Sequence, residues 1–273
     1  MKISGKTKVV GLFGYPVEHS LSPAMHNAAF EHLDLDYCYV TFSVRPDLLE
    51  HAVRAVKGLN LRGVNVTVPH KEKVIPFLDR VNEEASFIGA VNTVLHSDGA
   101  LIGFNTDGRG FMESLAEAGI SPEGKNVLVV GAGGACRAIS YYLSQMAANL
   151  LIFDIDEKKV SGLVADLSTI RENVSRAGNL ESLRGIDIVI NATPLGLKDS
   201  DPPPLNLSLI TGEMTVCDLI YRETPLLGAA AAKGCKTLNG LGMLLHQGVL
   251  AFEIWTGIRP PVEIMRNAIR ENI

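Results

Sequence analysis

Two periodicities alternate along this chain. Val9 to Phe13 is a short apolar run that reads as a buried strand. Residues 23–33 read as a helix, with Ser22 as cap and Pro23 at its first position. Asp36 to Val44 predicts a strand and Asp47 to Lys57 a helix. Val64, Val66 and Val68 then alternate with Asn65 and Thr67, so period two sends the valines to one face and the polar pair to the other. Pro69 ends that strand, and Gly89 to Leu95 and Ala100 to Phe104 predict two more, joined by the turn Ser97-Asp98-Gly99. Residues 108–118 carry Phe111, Leu115 and Ala118 on one helical stripe.

Gly119 to Lys125 is turn chemistry and marks a domain junction. After it, Asn126 to Val130 has the continuous apolar character of a mid-sheet parallel strand. Strands fit at 150–154, 186–190 and 215–219, and a helix near 157–168. Asp199 to Pro204 is a proline-rich surface loop, and two helices follow Gly240, the second from near Pro261. Such alternation predicts an α/β protein with parallel sheets.

Composition narrows the class. The 273 residues suit two domains, and 47% hydrophobic against 20% charged residues supports packed cores. A net charge of −5 without a basic run argues against nucleic acid as partner. The short, interrupted apolar stretch at the N-terminus fits neither a signal peptide nor a membrane span. Cys38, Cys136, Cys217 and Cys235 are far apart with no metal-ligand spacing, so reduced thiols in the cytoplasm and no metal site are expected. His19, His26, His70 and His246 read as structural rather than catalytic.

Gly131-Ala132-Gly133-Gly134-Ala135-Cys136-Arg137-Ala138 follows the apolar strand and opens a helix. Glycines permit a tight turn and close approach of a pyrophosphate, and a helix N-terminus offers unpaired amides to it. Asp154 stands 23 residues after Gly131 at the end of the next strand, the spacing of a dinucleotide fold. Cys136 replaces the usual third small residue and is itself small enough for close packing. A carboxylate at position 154 can accept from a ribose 2′-hydroxyl and repels a 2′-phosphate, which favours NAD; a solvated acid is the other reading.

Candidate chemistry also collects in the first half. Ser20 lies outside the helix, with no capping duty. Asn65 and Thr67 on one strand face indicate either a polar ligand or an internally bonded pair. Lys71 reads as the start of a helix running to Leu78, where the dipole would lower its pKa, or as a plain surface lysine. Asp107 reads as a helix-start acid or as a partner that keeps a lysine charged. Gln247 shares a stripe with Met243, Leu250 and Ile254, so its amide either bonds locally or reaches a site.

In this order, Ser20-Leu21-Ser22-Pro23, Asn65-Val66-Thr67-Val68-Pro69-His70-Lys71, Gly89-Ala90-Val91-Asn92-Thr93, Asn105-Thr106-Asp107-Gly108, the glycine-rich loop, Asn191-Ala192-Thr193-Pro194 and Asn239-Gly240-Leu241-Gly242-Met243-Leu244 with Gln247 resemble the shikimate dehydrogenase family over nearly the whole chain. The resemblance implies reversible reduction of 3-dehydroshikimate to shikimate, towards aromatic amino acids, by a monomer or homodimer. It implies Lys71 and Asp107 as catalytic pair, and Ser20, Ser22, Asn65, Thr67, Asn92, Tyr221 and Gln247 as substrate ligands. It implies Gly131, Ala132, Gly133, Gly134, Ala135, Leu219 and Gly240 as cofactor contacts. Its fold is two α/β domains about a cleft: 1–105 with 240–273 for substrate, and a Rossmann-type 106–239 for the dinucleotide.

The family's Asn-Arg-Thr, whose arginine holds the NADP phosphate, is here Asp154-Ile155-Asp156. That departure sets NAD(H) against the family's NADP(H) and resembles NAD-using quinate/shikimate dehydrogenases. The family's frequent Ser-Gly-Met after Asn-Ala-Thr is here Pro194-Leu195-Gly196-Leu197, a loop variation. A non-catalytic ligand-sensing relative is a third reading, which the retained Lys71 and Asp107 disfavour. A folate dehydrogenase is a fourth, and the polar set at 20, 22, 65 and 67 suits a polyhydroxy acid better than a pterin.

Overall fold

The structure is a computed structural model, and it describes residues 3–273. The chain forms two compact units, one running to Thr106 and resuming over Leu245–Ile273, the other comprising Asp107–Leu244. The division thus falls one helix before the Gly119–Lys125 turn.

In the first unit the order is β1 (Lys8–Gly14), α1 (Ser22–His32), β2 (Tyr37–Ser43), α2 (Leu49–Gly58), β3 (Gly63–Val66), β4 (Arg80–Val81), α3 (Glu83–Ile88), β5 (Thr93–Ser97) and β6 (Ala100–Phe104). The sheet order is β2-β1-β3-β5-β6-β4. β1 is parallel to β2 and β3, whereas β5 runs antiparallel to both β3 and β6, so this sheet is mixed. Asp98 and Gly99 both have positive φ (51° and 74°), the conformation a two-residue hairpin turn needs to follow the twist of its strands.

Three local expectations change. Gly89 to Leu95 is not one strand: Gly89, at φ 73°, ends α3, and pairing starts only at Thr93. Ser22 is not the cap of α1; Leu21 holds that position without a side-chain bond, and Ser22 lies inside the helix, buried. No α-helix runs from Lys71 to Leu78 either. Lys71 to Val74 are turns, followed by a 3-10 turn at Ile75–Phe77, so no aligned peptide dipole acts on Lys71.

The second unit begins with α4 (Asp107–Glu117) and continues with β7 (Asn126–Val130), α5 (Gly134–Leu143), β8 (Asn149–Phe153), α6 (Glu157–Ser168), β9 (Val174–Arg176), β10 (Ile188–Asn191), β11 (Thr215–Asp218), α7 (Pro225–Ala232) and β12 (Lys236–Leu238). Its six strands are all parallel, in the order β12-β11-β10-β7-β8-β9. Val127, Leu128, Val129 and Val130 are buried along the whole strand, as a parallel strand covered on both faces requires.

The chain returns to the first unit within α8 (Leu241–Thr256), and α9 (Val262–Arg270) follows and packs on α1. The end of α8 is anchored on the centre of the first sheet. Trp255 is fully buried, its Nε1 donates to the Val94 carbonyl at 3.0 Å, and Arg62 Nε donates to the Trp255 carbonyl at 2.9 Å. Gly63 leaves room for that ring, because a Cβ there would collide with the indole. No helix among the described residues is long and apolar enough to cross a membrane.

Candidate functional site

The first unit joins two of its expected ligands, Asn65 and Asn92, into one hydrogen-bonded line. Asn92 Oδ1 accepts from the Thr106 backbone N–H at 2.9 Å, so its Nδ2 donates to Thr106 Oγ1, also at 2.9 Å. Thr93 Oγ1 donates to Asn92 Oδ1 at 3.0 Å and accepts from Asn65 Nδ2 at 3.0 Å. The second Nδ2 hydrogen of Asn65 goes to the Asn92 carbonyl at 3.1 Å. Asn65 Oδ1 therefore faces Tyr39, whose phenol donates to it at 2.9 Å. Of the two readings of Asn65, internal bonding is thus realised. Thr67, half-buried just past β3, lies against Gly14.

Ser20 does serve the helix start: its Oγ accepts from the Ser22 backbone N–H at 3.3 Å. Lys71 is half-buried, and its carbonyl accepts from Val91 N–H at 2.8 Å, which fixes the turn beside Asn92. The preceding His70 is buried, with Nε2 2.7 Å from the Val44 carbonyl; at that distance Nε2 carries the proton. Gln247 is half-buried on α8, next to Gly248, which packs on Met25 and His26 of α1.

His26 is strongly perturbed by its surroundings in this unit. It is fully buried, stacked on Tyr39 with ring centroids 4.5 Å apart, with Phe30, Phe252 and Trp255 around it. Neither ring nitrogen has a hydrogen-bond partner among the described residues, and burial pushes its pKa down to about 3. Burial likewise drives the Tyr39 phenol up, so it stays a donor at any working pH.

In the second unit Gly131 turns at φ 117°, and a Cβ there would lie 2.8 Å from the Ala192 carbonyl oxygen. Gly133 caps α5 with no side chain; it is exposed, and Gly134 and Ala135 are partly so. The first turn of α5 thus presents backbone amides with no side-chain cap over them, the donor set a pyrophosphate accepts from. Cys136 is fully buried beneath this loop, its thiol pushed up to about 12 by burial.

Asp154 is half-buried and engaged on both oxygens. Its Oδ2 accepts from Ala132 N–H at 2.7 Å and its Oδ1 from Asp156 N–H at 2.9 Å, so it ties the glycine loop to the next strand. Asp156 caps α6 through Lys158 and Lys159 N–H, and Ile155 between them is 93% exposed.

Leu219 and Gly240 are brought together, since a Cβ on Gly240 would collide with the Leu219 carbonyl. Beneath them lies a network the sequence reading missed. Buried Asp218 accepts from Asn191 Nδ2 (3.0 Å), Thr224 Oγ1 (2.8 Å) and Ile220 N–H (3.1 Å), while burial raises its pKa. Tyr221 is exposed beside it, and Asp107 is buried at the start of α4. Tyr39, Thr93 and Thr106 were also missed. The available signal was a tyrosine at a buried position of a strand, whose hydroxyl needs a partner. All four cysteines are free, and no cluster of metal-binding side chains exists among the described residues.

Comparison with known proteins agrees with this geometry. Residues 12–94 match the shikimate dehydrogenase substrate-binding domain, and residues 240–270 the shikimate 5′-dehydrogenase C-terminal domain. A shikimate dehydrogenase (NADP+) of Desulforamulus reducens is 46% identical, covering 100% of this chain and 98% of its own. A crystal structure of a shikimate dehydrogenase in complex with NADP+ superposes with a TM-score of 0.93 at 42% identity, covering 100% of this chain and 98% of its own. The Listeria monocytogenes shikimate 5-dehydrogenase in complex with shikimate and NAD gives 0.91 at 37% identity, with 98% of each chain covered. The chain therefore belongs to the shikimate dehydrogenase family.

Proposed function

We propose that this protein catalyses the reversible reduction of 3-dehydroshikimate to shikimate with a nicotinamide dinucleotide, NADP(H) being the cofactor named for its relatives. The observation that carries the reading is the line from Asn65 through Thr93 to Asn92, an oriented row of small polar groups suited to a polyhydroxy acid. Ser20, Ser22, Thr67, Tyr221 and Gln247 complete the substrate set in this proposal.

Lys71 donates a proton to the oxygen of the ketone as the carbon is reduced. Asp107 keeps that amine charged and oriented. In the reverse direction the neutral amine takes the hydroxyl proton back. Residues 131–135, with Leu219 and Gly240, hold the dinucleotide, which when bound supplies or accepts the hydride. Lys71→Ala should lower kcat by ~10²–10⁴-fold, the usual worth of a positioned proton-transfer group. Unchanged turnover in that variant removes Lys71 from the role.

Cofactor choice is the finer part of the proposal: NAD(H) is used as well as NADP(H). Ile155 stands where the family's arginine does, and each Asp154 oxygen keeps a lone pair for a ribose hydroxyl. Rates with shikimate and each cofactor test this, and Asp154→Asn with Ile155→Arg should shift preference towards NADP. A strong NADP preference in the wild type refutes it. Quinate in the same assay separates the biosynthetic enzyme from a quinate/shikimate dehydrogenase.

A further inference from the structure

The polarity of the line in the first unit is set from one end. A backbone amide can only donate, so Thr106 N–H makes Asn92 Oδ1 an acceptor. Thr93 must then give its hydroxyl proton to Asn92 and receive from Asn65 Nδ2. Asn65 has no remaining amide hydrogen, so its Oδ1 takes the Tyr39 proton. Tyr39 thus ends the line opposite Thr106, with its hydroxyl on the proposed substrate ligand Asn65 of β3.

Its own position is closely determined. Asn27 of α1 brackets its backbone, with Nδ2 donating to the Tyr39 carbonyl at 2.9 Å and Oδ1 accepting from Tyr39 N–H at 2.8 Å. The His26 ring lies parallel to the phenol ring, within 5°. Only 1% of Tyr39 is exposed, so it acts through the side chain it holds.

We propose that Tyr39 is a positioning residue for the substrate, holding the Asn65 amide in one orientation through its hydroxyl. This rests on the functional reading above. The phenol is needed for the substrate's fit and contributes nothing to dinucleotide binding.

The test is Tyr39→Phe, which keeps the stacked ring and removes only the oxygen. Loss of the buried bond to Asn65 should raise KM for shikimate about fivefold. kcat and the KM for the dinucleotide should stay within about twofold, an outcome that general loosening of the fold does not produce. In an Asn65→Ala background the same change should raise KM less than threefold, because the link is already cut. Thr93→Val, near-isosteric, breaks the line on the far side of Asn65 and should raise KM in the same sense, so the idea does not depend on one variant folding.

An unchanged KM in both Tyr39→Phe and Thr93→Val, equal factors in the two backgrounds, or a parallel fall in kcat and cofactor affinity overturns the proposal. A wild-type protein that does not oxidise shikimate removes the functional reading instead, and this role with it.

Discussion

His26→Phe should make the first unit markedly less sensitive to acid. In the native protein the imidazole is sealed among Tyr39, Phe30, Phe252 and Trp255 and titrates near 3, well below its ordinary 6.5. Unfolding exposes it to water, where it takes up a proton below pH 6.5. Between those two values the unfolded chain binds more protons than the folded one, so stability falls as pH falls. At ~1.4 kcal/mol per pKa unit, this one residue removes about 3 kcal/mol between pH 7 and pH 4, and about 4 kcal/mol once pH reaches 3.

Phenylalanine keeps the aromatic packing and also deletes two buried nitrogens with no hydrogen-bond partner among the described residues, so the variant should be no less stable at pH 7. The chain's single tryptophan, Trp255, lies 5.4 Å from His26 between ring centroids and reports locally. Urea titrations followed by its fluorescence, at pH 7, 5.5 and 4, measure the effect. Other groups titrate in the same range, and comparing the two proteins at each pH cancels them. Wild-type and His26→Phe curves that lose stability in parallel from pH 7 to 4 would refute the reasoning.

Two further expectations concern packing and the cofactor loop. Trp255→Leu opens a cavity on the first sheet and removes the bond to Val94; a loss of ~3–5 kcal/mol is expected by denaturant titration, and a loss below about 1 kcal/mol would show that α8 is not anchored there. Gly131→Ala puts a Cβ at φ 117° and 2.8 Å from the Ala192 carbonyl, so dinucleotide KM should rise at least tenfold while shikimate binding, measured by calorimetry, is kept; unaltered cofactor KM contradicts the cradle.

Long elements were legible because their signals are local. The apolar β7, the helix at Glu157–Ser168 and the two C-terminal helices each carry enough periodic positions to be recognised alone. The short strands β9 and β12 have three residues each and no period to read; they form because a parallel neighbour supplies their hydrogen bonds. The segment after Pro69 was misread for a related reason. Its composition tolerates a helix, but the Lys71 carbonyl is taken by Val91, a partner 20 positions away.

Residue types and their order are properties of the chain alone. The glycine run after an apolar strand, the lysine after Asn-Val-Thr-Val-Pro-His and the acid before Gly108 carry the chemistry wherever they are placed, and they were sufficient to identify the family. Which atom of each side chain is already committed was decided only in three dimensions. Asp154, read as an acceptor for a ribose hydroxyl, already accepts from two amides; Asn65, read as a ligand group or an internally bonded one, bonds both Tyr39 and Thr93. A hydrogen bond depends on distance and direction between groups that the chain brings together from far apart, and no local pattern encodes either.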